Sequence, residues 1–309
     1  MRYSTETGGL KTLSIASLVI AITTTVFVGA LTVNVMQYRN LGGSSSTASS
    51  TASQSIGQPI SGQVASQLAG VTIQTLAAVG NGSSGVTSPA VITNASSPLT
   101  SDGKPEVLYV GGEFCPFCGA ERWALVVAMS KFGNFTGLEY MLSSSTDVYP
   151  DTPTFTFAAS NYSSPYLSFV PVESQNRSSV LVQPLTPAQG ALFSQYDNAA
   201  SIPFVDFGNK YVLLGAQYSP AILRSGGSAT GAPYEWSTVA SQLNTPGSTI
   251  AQNVDGSANR LIRALCVLTG QQPMSVCSQS FARTMAYAAG TPPVASAPRF
   301  ADARRHSQA

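Results

Sequence analysis

Glu106-Val-Leu-Tyr-Val-Gly-Gly-Glu-Phe-Cys-Pro-Phe-Cys-Gly-Ala-Glu-Arg-Trp-Ala-Leu-Val-Val-Ala-Met129 changes its pattern halfway along. Its opening residues, through Val110, form an apolar run that reads as a buried strand, and Gly111-Gly112 supplies the turn that ends it. After Cys118 the chain turns to good helix formers, with Pro116 where a first helical turn accepts it. Strand, C-x-x-C and helix is the order a redox dithiol needs. The two-residue spacing puts both sulfurs on one face of the first turn, close enough to bridge. There the unsatisfied N–H groups and the positive end of the helix dipole favour the thiolate of Cys115. Cys115 is therefore the candidate nucleophile, which would form a mixed disulfide with a substrate sulfur. Cys118, further into the helix, is the candidate resolving thiol.

Composition narrows the alternatives. The 309 residues carry 15 Lys and Arg against 14 Asp and Glu, a net charge of +1, and only 9% are charged, so there is no basic field to grip nucleic acid. No nucleic-acid partner is expected. The only histidine, His306, lies near the C-terminus, which leaves the folded part no His for a Ser-His-Asp triad, a His-ligated metal or a general base. No metal and no cofactor is expected. Four cysteines remain, Cys115, Cys118, Cys266 and Cys277, an even count that suits paired sulfurs in an exported chain.

The dithiol segment resembles the thioredoxin-like superfamily, and the Pro-Phe between its cysteines is similar to the C-P-[YF]-C of glutaredoxins. Ser201-Ile-Pro-Phe-Val-Asp-Phe207, the turn Gly208-Asn209 and Lys210-Tyr-Val-Leu-Leu214 resemble the antiparallel pair that closes a thioredoxin sheet. The resemblance implies a cis peptide at Pro203 and an Ile202 backbone that pairs with an extended substrate. With Phe117, these are the substrate-binding candidates. Trp236 to Leu243 would be the terminal helix of that core. The run Val107 to Val126 together with Ser143-Ser-Ser-Thr-Asp-Val-Tyr-Pro150 resembles, more narrowly, the domain of unknown function 929 family of membrane-anchored, thioredoxin-like proteins. There are departures from ordinary thioredoxins. Tyr109 stands where thioredoxins often hold a buried Asp for proton transfer. The nearest carboxylates, Glu113 and Glu121, are read as solvated surface rather than as proton relays. No His lies between the cysteines, so the direction of electron flow stays open.

Cys266 and Cys277 fall in a second helical region, around Gly270 and Pro273. A structural disulfide is the favoured reading, with a redox relay to the dithiol or a Cys₄ zinc site as alternatives; the second pair lacks the short zinc-knuckle spacing. The aromatics Tyr149, Phe155, Phe157, Tyr162, Tyr166 and Phe169 lie in what reads as an insertion at about 143–200, and are read as core, as are Trp123 and Trp236. Thr186 to Tyr196 reads as a helix led by Pro187.

Outside this domain the chain changes character. Residues 1–11 carry Arg2 and Lys11, and 12–37 is an uncharged apolar stretch of about the ~20 residues that cross a bilayer, read as a single-pass anchor with the N-terminus cytoplasmic. A cleaved signal peptide ending near Val28-Gly29-Ala30 is the alternative, and either exports the body. A Ser/Thr/Gly linker follows at 38–62, then a charge-free, partly helical extension at 63–101. The thioredoxin-like domain is expected over 102–282 and an Ala/Pro/Arg-rich disordered tail over 283–309. Five Asn-X-Ser/Thr sequons, at Asn81, Asn94, Asn134, Asn161 and Asn176, suit an exported surface in a host that glycosylates.

The expected architecture is thus α/β, a thioredoxin-like fold with an insertion behind one transmembrane helix. The expected function is that of an extracytoplasmic thiol–disulfide oxidoreductase acting on protein thiols, served by a separate membrane redox partner. The alternative is a non-catalytic binding or assembly module whose C-x-x-C is a structural disulfide.

Overall fold

Ser61 and Thr72 open two helices by the same device, each hydroxyl accepting the backbone N–H three residues on, from Val64 and Thr75. The helices α1 (Gly62–Ala69) and α2 (Ile73–Val79) bury Val64, Leu68, Leu76 and Val79. The computed structural model describes residues 54–95, 97–197 and 199–283, and those from Ser55 onward fall in one unit. Among the described residues no helix is long and apolar enough to cross a membrane. The anchor expected at 12–37 and the tail after Arg283 lie outside the described residues.

Short strands β1 (Ala90–Val91) and β2 (Thr100–Ser101) lead into β3 (Lys104–Gly111), which is buried from Glu106 to its end. The central helix α3 (Pro116–Met129) follows, then β4 (Asn134–Thr136), β5 (Glu139–Leu142), β6 (Pro153–Thr156), β7 (Asn161–Ser163) and β8 (Ser168–Glu173). Next come α4 (Pro187–Tyr196), β9 (Phe204–Phe207), β10 (Tyr211–Leu214), α5 (Trp236–Leu243), α6 (Thr249–Leu268), α7 (Met274–Cys277) and α8 (Ser280–Arg283).

The sheet is mixed. β3 pairs parallel with β8 and antiparallel with β9, β9 continues into β10, and β1 and β2 add short antiparallel edges. Gly208 and Asn209 turn β9 into β10 with positive φ at both, 64° and 54°, the combination a type I′ turn requires. Alternation along β3 sends Leu108 and Val110 into a cluster with Val172, Phe204, Val212 and Phe193 of α4. It sends Tyr109 to the other face, where its ring meets Phe157 edge-on, with centroids 5.2 Å apart. Helix α3 is buried nearly all round, its charged residues Glu121 and Arg122 included, and packs against α6. Trp123 and Trp236 are buried there and donate their indole N–H groups to the carbonyls of Pro153 and Thr154.

Two boundaries differ from expectation. The expected linker is already structured at 57–60, where Gly57 and Ile60 donate to the carbonyls of Tyr140 and Leu138 in and beside β5. Backbone groups pair whatever their side chains, so linker-like composition hides this. The charge-free, partly helical extension packs onto the domain: Asn259 of α6 donates to the carbonyls of Leu76 and Gly80, and Asn244 to that of Gln67. The expected insertion is narrower, because β8 belongs to the central sheet, and parallel pairing between strands this far apart in sequence leaves no local signal.

Candidate functional site

Strand β3 ends at Gly111, and the chain crosses Gly112, Glu113 and Phe114 to place Cys115 at the N-cap of α3. Pro116 occupies the first helical turn, where its missing N–H costs nothing. The Cys115 sulfur takes the place of a capping oxygen and accepts the backbone N–H of Cys118 at 3.3 Å. Both thiols are free. Hydrogen bonding from the Cys118 thiol, then from the Cys118 N–H, and the charge of Arg122 outweigh burial and hold Cys115 below its ordinary pKa. Burial pushes Cys118 well above the ordinary range, and sharing a proton with Cys115 adds to this. The two thiols are thereby split into a readily ionised one at the helix end and a reluctant one behind it.

The sequence-derived site residues converge. The Ile202–Pro203 peptide is cis, and the Cys115 thiol lies 3.9 Å from the Ile202 carbonyl oxygen, to which it donates. Phe117, between the cysteines, is half-buried and meets the Tyr149 ring edge-on at 5.7 Å. The 143–150 run forms a loop against the dithiol turn, where Ser144 N–H donates to the Phe114 carbonyl. Arg177 pins this loop through the carbonyls of Leu142 and Ser143 and an ion pair with Asp151. Cys266 and Cys277 do not join the dithiol; they are bonded to each other and tie α6 to α7. Among the described residues no cluster of His, Cys, Asp or Glu is arranged to hold a metal.

Two expectations are corrected. Glu113 and Glu121, read as solvated, are buried, with exposures of 8% and 0%. Glu113 receives the Thr156 hydroxyl at 2.5 Å, and burial raises its pKa. Glu121 accepts the Gln217 N–H, lies close enough to Tyr218 to interact with it, and is pushed up by burial to about 8. The candidate nucleophile, Cys115, is itself enclosed, at 6% exposed.

One group escaped the sequence reading. Arg122 is fully buried one turn beyond Cys118 and forms a two-pronged ion pair with Glu173 of β8, at 2.9 and 2.6 Å. Burial alone would lower the guanidinium pKa, but Glu173 outweighs it and keeps the charge. An arginine inside a largely apolar helix, next to Glu121 and four residues after the second cysteine, was the available signal; its partner, in a distant strand, had none.

These features define a mixed α/β domain whose central strand delivers a dithiol to the first turn of a buried helix. Residues 91–266 match the family model described as Domain of unknown function (DUF929), and the chain belongs to that family. No curated protein and no solved structure matches it.

Proposed function

We propose that this protein is a membrane-anchored, extracytoplasmic thiol–disulfide oxidoreductase of thioredoxin-like fold, acting on protein thiols and disulfides through Cys115 and Cys118. The observation that carries the reading is the Cys118 N–H directed at the Cys115 sulfur, with both thiols free at the start of α3 while Cys266 and Cys277 are bonded. The strand order β8-β3-β9-β10, with α3 in the connection between the parallel pair, supports the thioredoxin-like reading.

In the reducing direction, the Cys115 thiolate attacks one sulfur of a substrate disulfide. That bond breaks, a mixed disulfide forms and the departing sulfur takes up a proton. Cys118 then loses its proton and attacks the Cys115 sulfur. This releases the second substrate thiol and leaves a Cys115–Cys118 disulfide, so two electrons have passed to the substrate. The oxidising direction is the reverse, and either needs a separate thiol or disulfide partner in the membrane for the next turnover. The Ile202 backbone beside the sulfur would pair with an extended substrate, and Phe117 would contact it.

A second reading has its own support: the 6% exposure of Cys115 suits a binding module that never exchanges its sulfur. Cys118→Ser protein treated with oxidised glutathione separates the two. The enzyme accumulates a glutathione adduct on Cys115, seen by mass; the binding module stays unmodified.

A further inference from the structure

Among the described residues no carboxylate is among the main influences on the ionisation of either cysteine. The position on β3 that faces α3 is taken by Tyr109, fully buried, whose hydroxyl has no hydrogen-bond partner and whose pKa burial pushes well up, so it stays a neutral phenol. The charge that does reach the site is Arg122. Its guanidinium lies 5.8 Å from the Tyr109 ring centroid and donates to the Gly112 carbonyl at 2.9 Å. The Cys115 backbone N–H donates to that same carbonyl oxygen at 3.2 Å. Arg122 and the nucleophile's own backbone are therefore tied through one acceptor.

The ion pair is oriented. Glu173 lies on the β8 side, where its carboxylate also receives the Phe157 N–H and its backbone pairs with Gly111, while the guanidinium donates to the Gly112 carbonyl and its charge acts on both cysteines. The other charged or titratable groups around the dithiol have partners of their own. Glu113 is bonded to Thr156 and also feels the Arg122–Glu173 pair, Arg177 is bonded to the 142–143 carbonyls and Asp151, and Tyr149 packs edge-on against Phe117.

We infer that Arg122, held in place by Glu173, is the positioning residue that supplies the fixed positive charge favouring thiolate formation at Cys115 and Cys118, a device that stabilises the thiolate instead of accepting its proton. This rests on the dithiol reading above. Its consequence for exchange is that the proton leaving Cys118 goes to solvent or to the departing substrate sulfur, with Arg122 stabilising the thiolate left behind, and no buried base takes it.

The test follows alkylation of Cys115 by iodoacetamide against pH in the full chain, in Arg122→Gln/Glu173→Gln and in Glu173→Gln, with circular dichroism to verify folding. The double variant removes both charges and keeps hydrogen-bonding groups, avoiding an unpaired buried ion. Its midpoint should rise by about one pH unit, an about tenfold slower alkylation below the midpoint. Glu173→Gln leaves Arg122 uncompensated and should move the midpoint down. Opposite shifts mark an electrostatic role that a packing defect would not mimic. If the double variant fails to fold, the sign of the Glu173→Gln shift alone decides. An unchanged profile in the folded variants, or shifts of the same sign, would overturn the inference while leaving the dithiol reading intact. A wild-type Cys115 unreactive at every pH would overturn both.

Discussion

Cys118 donates its backbone N–H to the sulfur of Cys115, so one atom is both the cap of α3 and the candidate nucleophile. Stability and reactivity are linked there. Cys115→Ser keeps an acceptor and should melt close to wild type, whereas Cys115→Ala strips the cap and should cost ~1 kcal/mol. Thermal melts of the two variants check this, and equal stabilities would mean that the sulfur does not cap the helix.

A second contact joins the charge-free extension to the domain. Gly82 and Gly256 face each other so closely that a Cβ on Gly256 would lie 2.7 Å from the Gly82 Cα, with backbone that cannot yield cheaply. Gly256→Ala should destabilise by ~1–3 kcal/mol despite the better helix propensity of alanine. Gly190→Ala in α4, where nothing lies within 4 Å of the added atom, should instead stabilise by ~0.5–1 kcal/mol. Denaturant titrations of both read the contrast.

Buried carboxyls make the domain most stable in acid. Burial raises Glu121 to about 8, raises Asp255 well above the carboxylate range, and raises Asp206 to about 6. Both oxygens of Asp255 and one of Glu121 are buried without partners. A carboxyl whose folded pKa is raised binds its proton more tightly folded than unfolded. Its stabilisation is therefore complete below the unfolded pKa, near ~4, and is lost as pH rises toward the folded value. Unfolding free energy should fall between pH 4 and 8, by up to ~1.4 kcal/mol per pH unit for each such group. Glu121→Gln, which still offers an acceptor to the Gln217 N–H, should flatten the curve and raise stability at pH 8. A wild-type curve that rises with pH over this range would contradict the account.

The Cys266–Cys277 disulfide closes a short loop between α6 and α7. Replacing both by Ala should cost ~2–4 kcal/mol of stability while leaving glutathione exchange at Cys115 unchanged. A slowed exchange would revive the redox relay between the two pairs.

Much of this was legible beforehand, for local reasons. The apolar strand, the glycine turn, Pro116 and the helix formers after Cys118 announce the dithiol turn within one stretch of chain. Gly208-Asn209 announces its hairpin, and Pro187 its helix. Pairings across long separations were hidden: β8 against β3, residues 57–60 against β5, and Glu173 against Arg122. Charge misled at Glu113 and Glu121, because a carboxylate reads as surface until the structure shows the burial that raises its pKa.

The central claim is that Cys115 and Cys118 exchange electrons with other thiols. The most direct test is the reduction potential of this pair in the full chain, by equilibration with glutathione and mass-shift alkylation, with Cys266→Ala/Cys277→Ala alongside. The account predicts a readily exchanging pair with a potential between ~ −120 and −270 mV. A pair that does not exchange, or that stays oxidised below ~ −300 mV, would make the C-x-x-C a structural disulfide and contradict it.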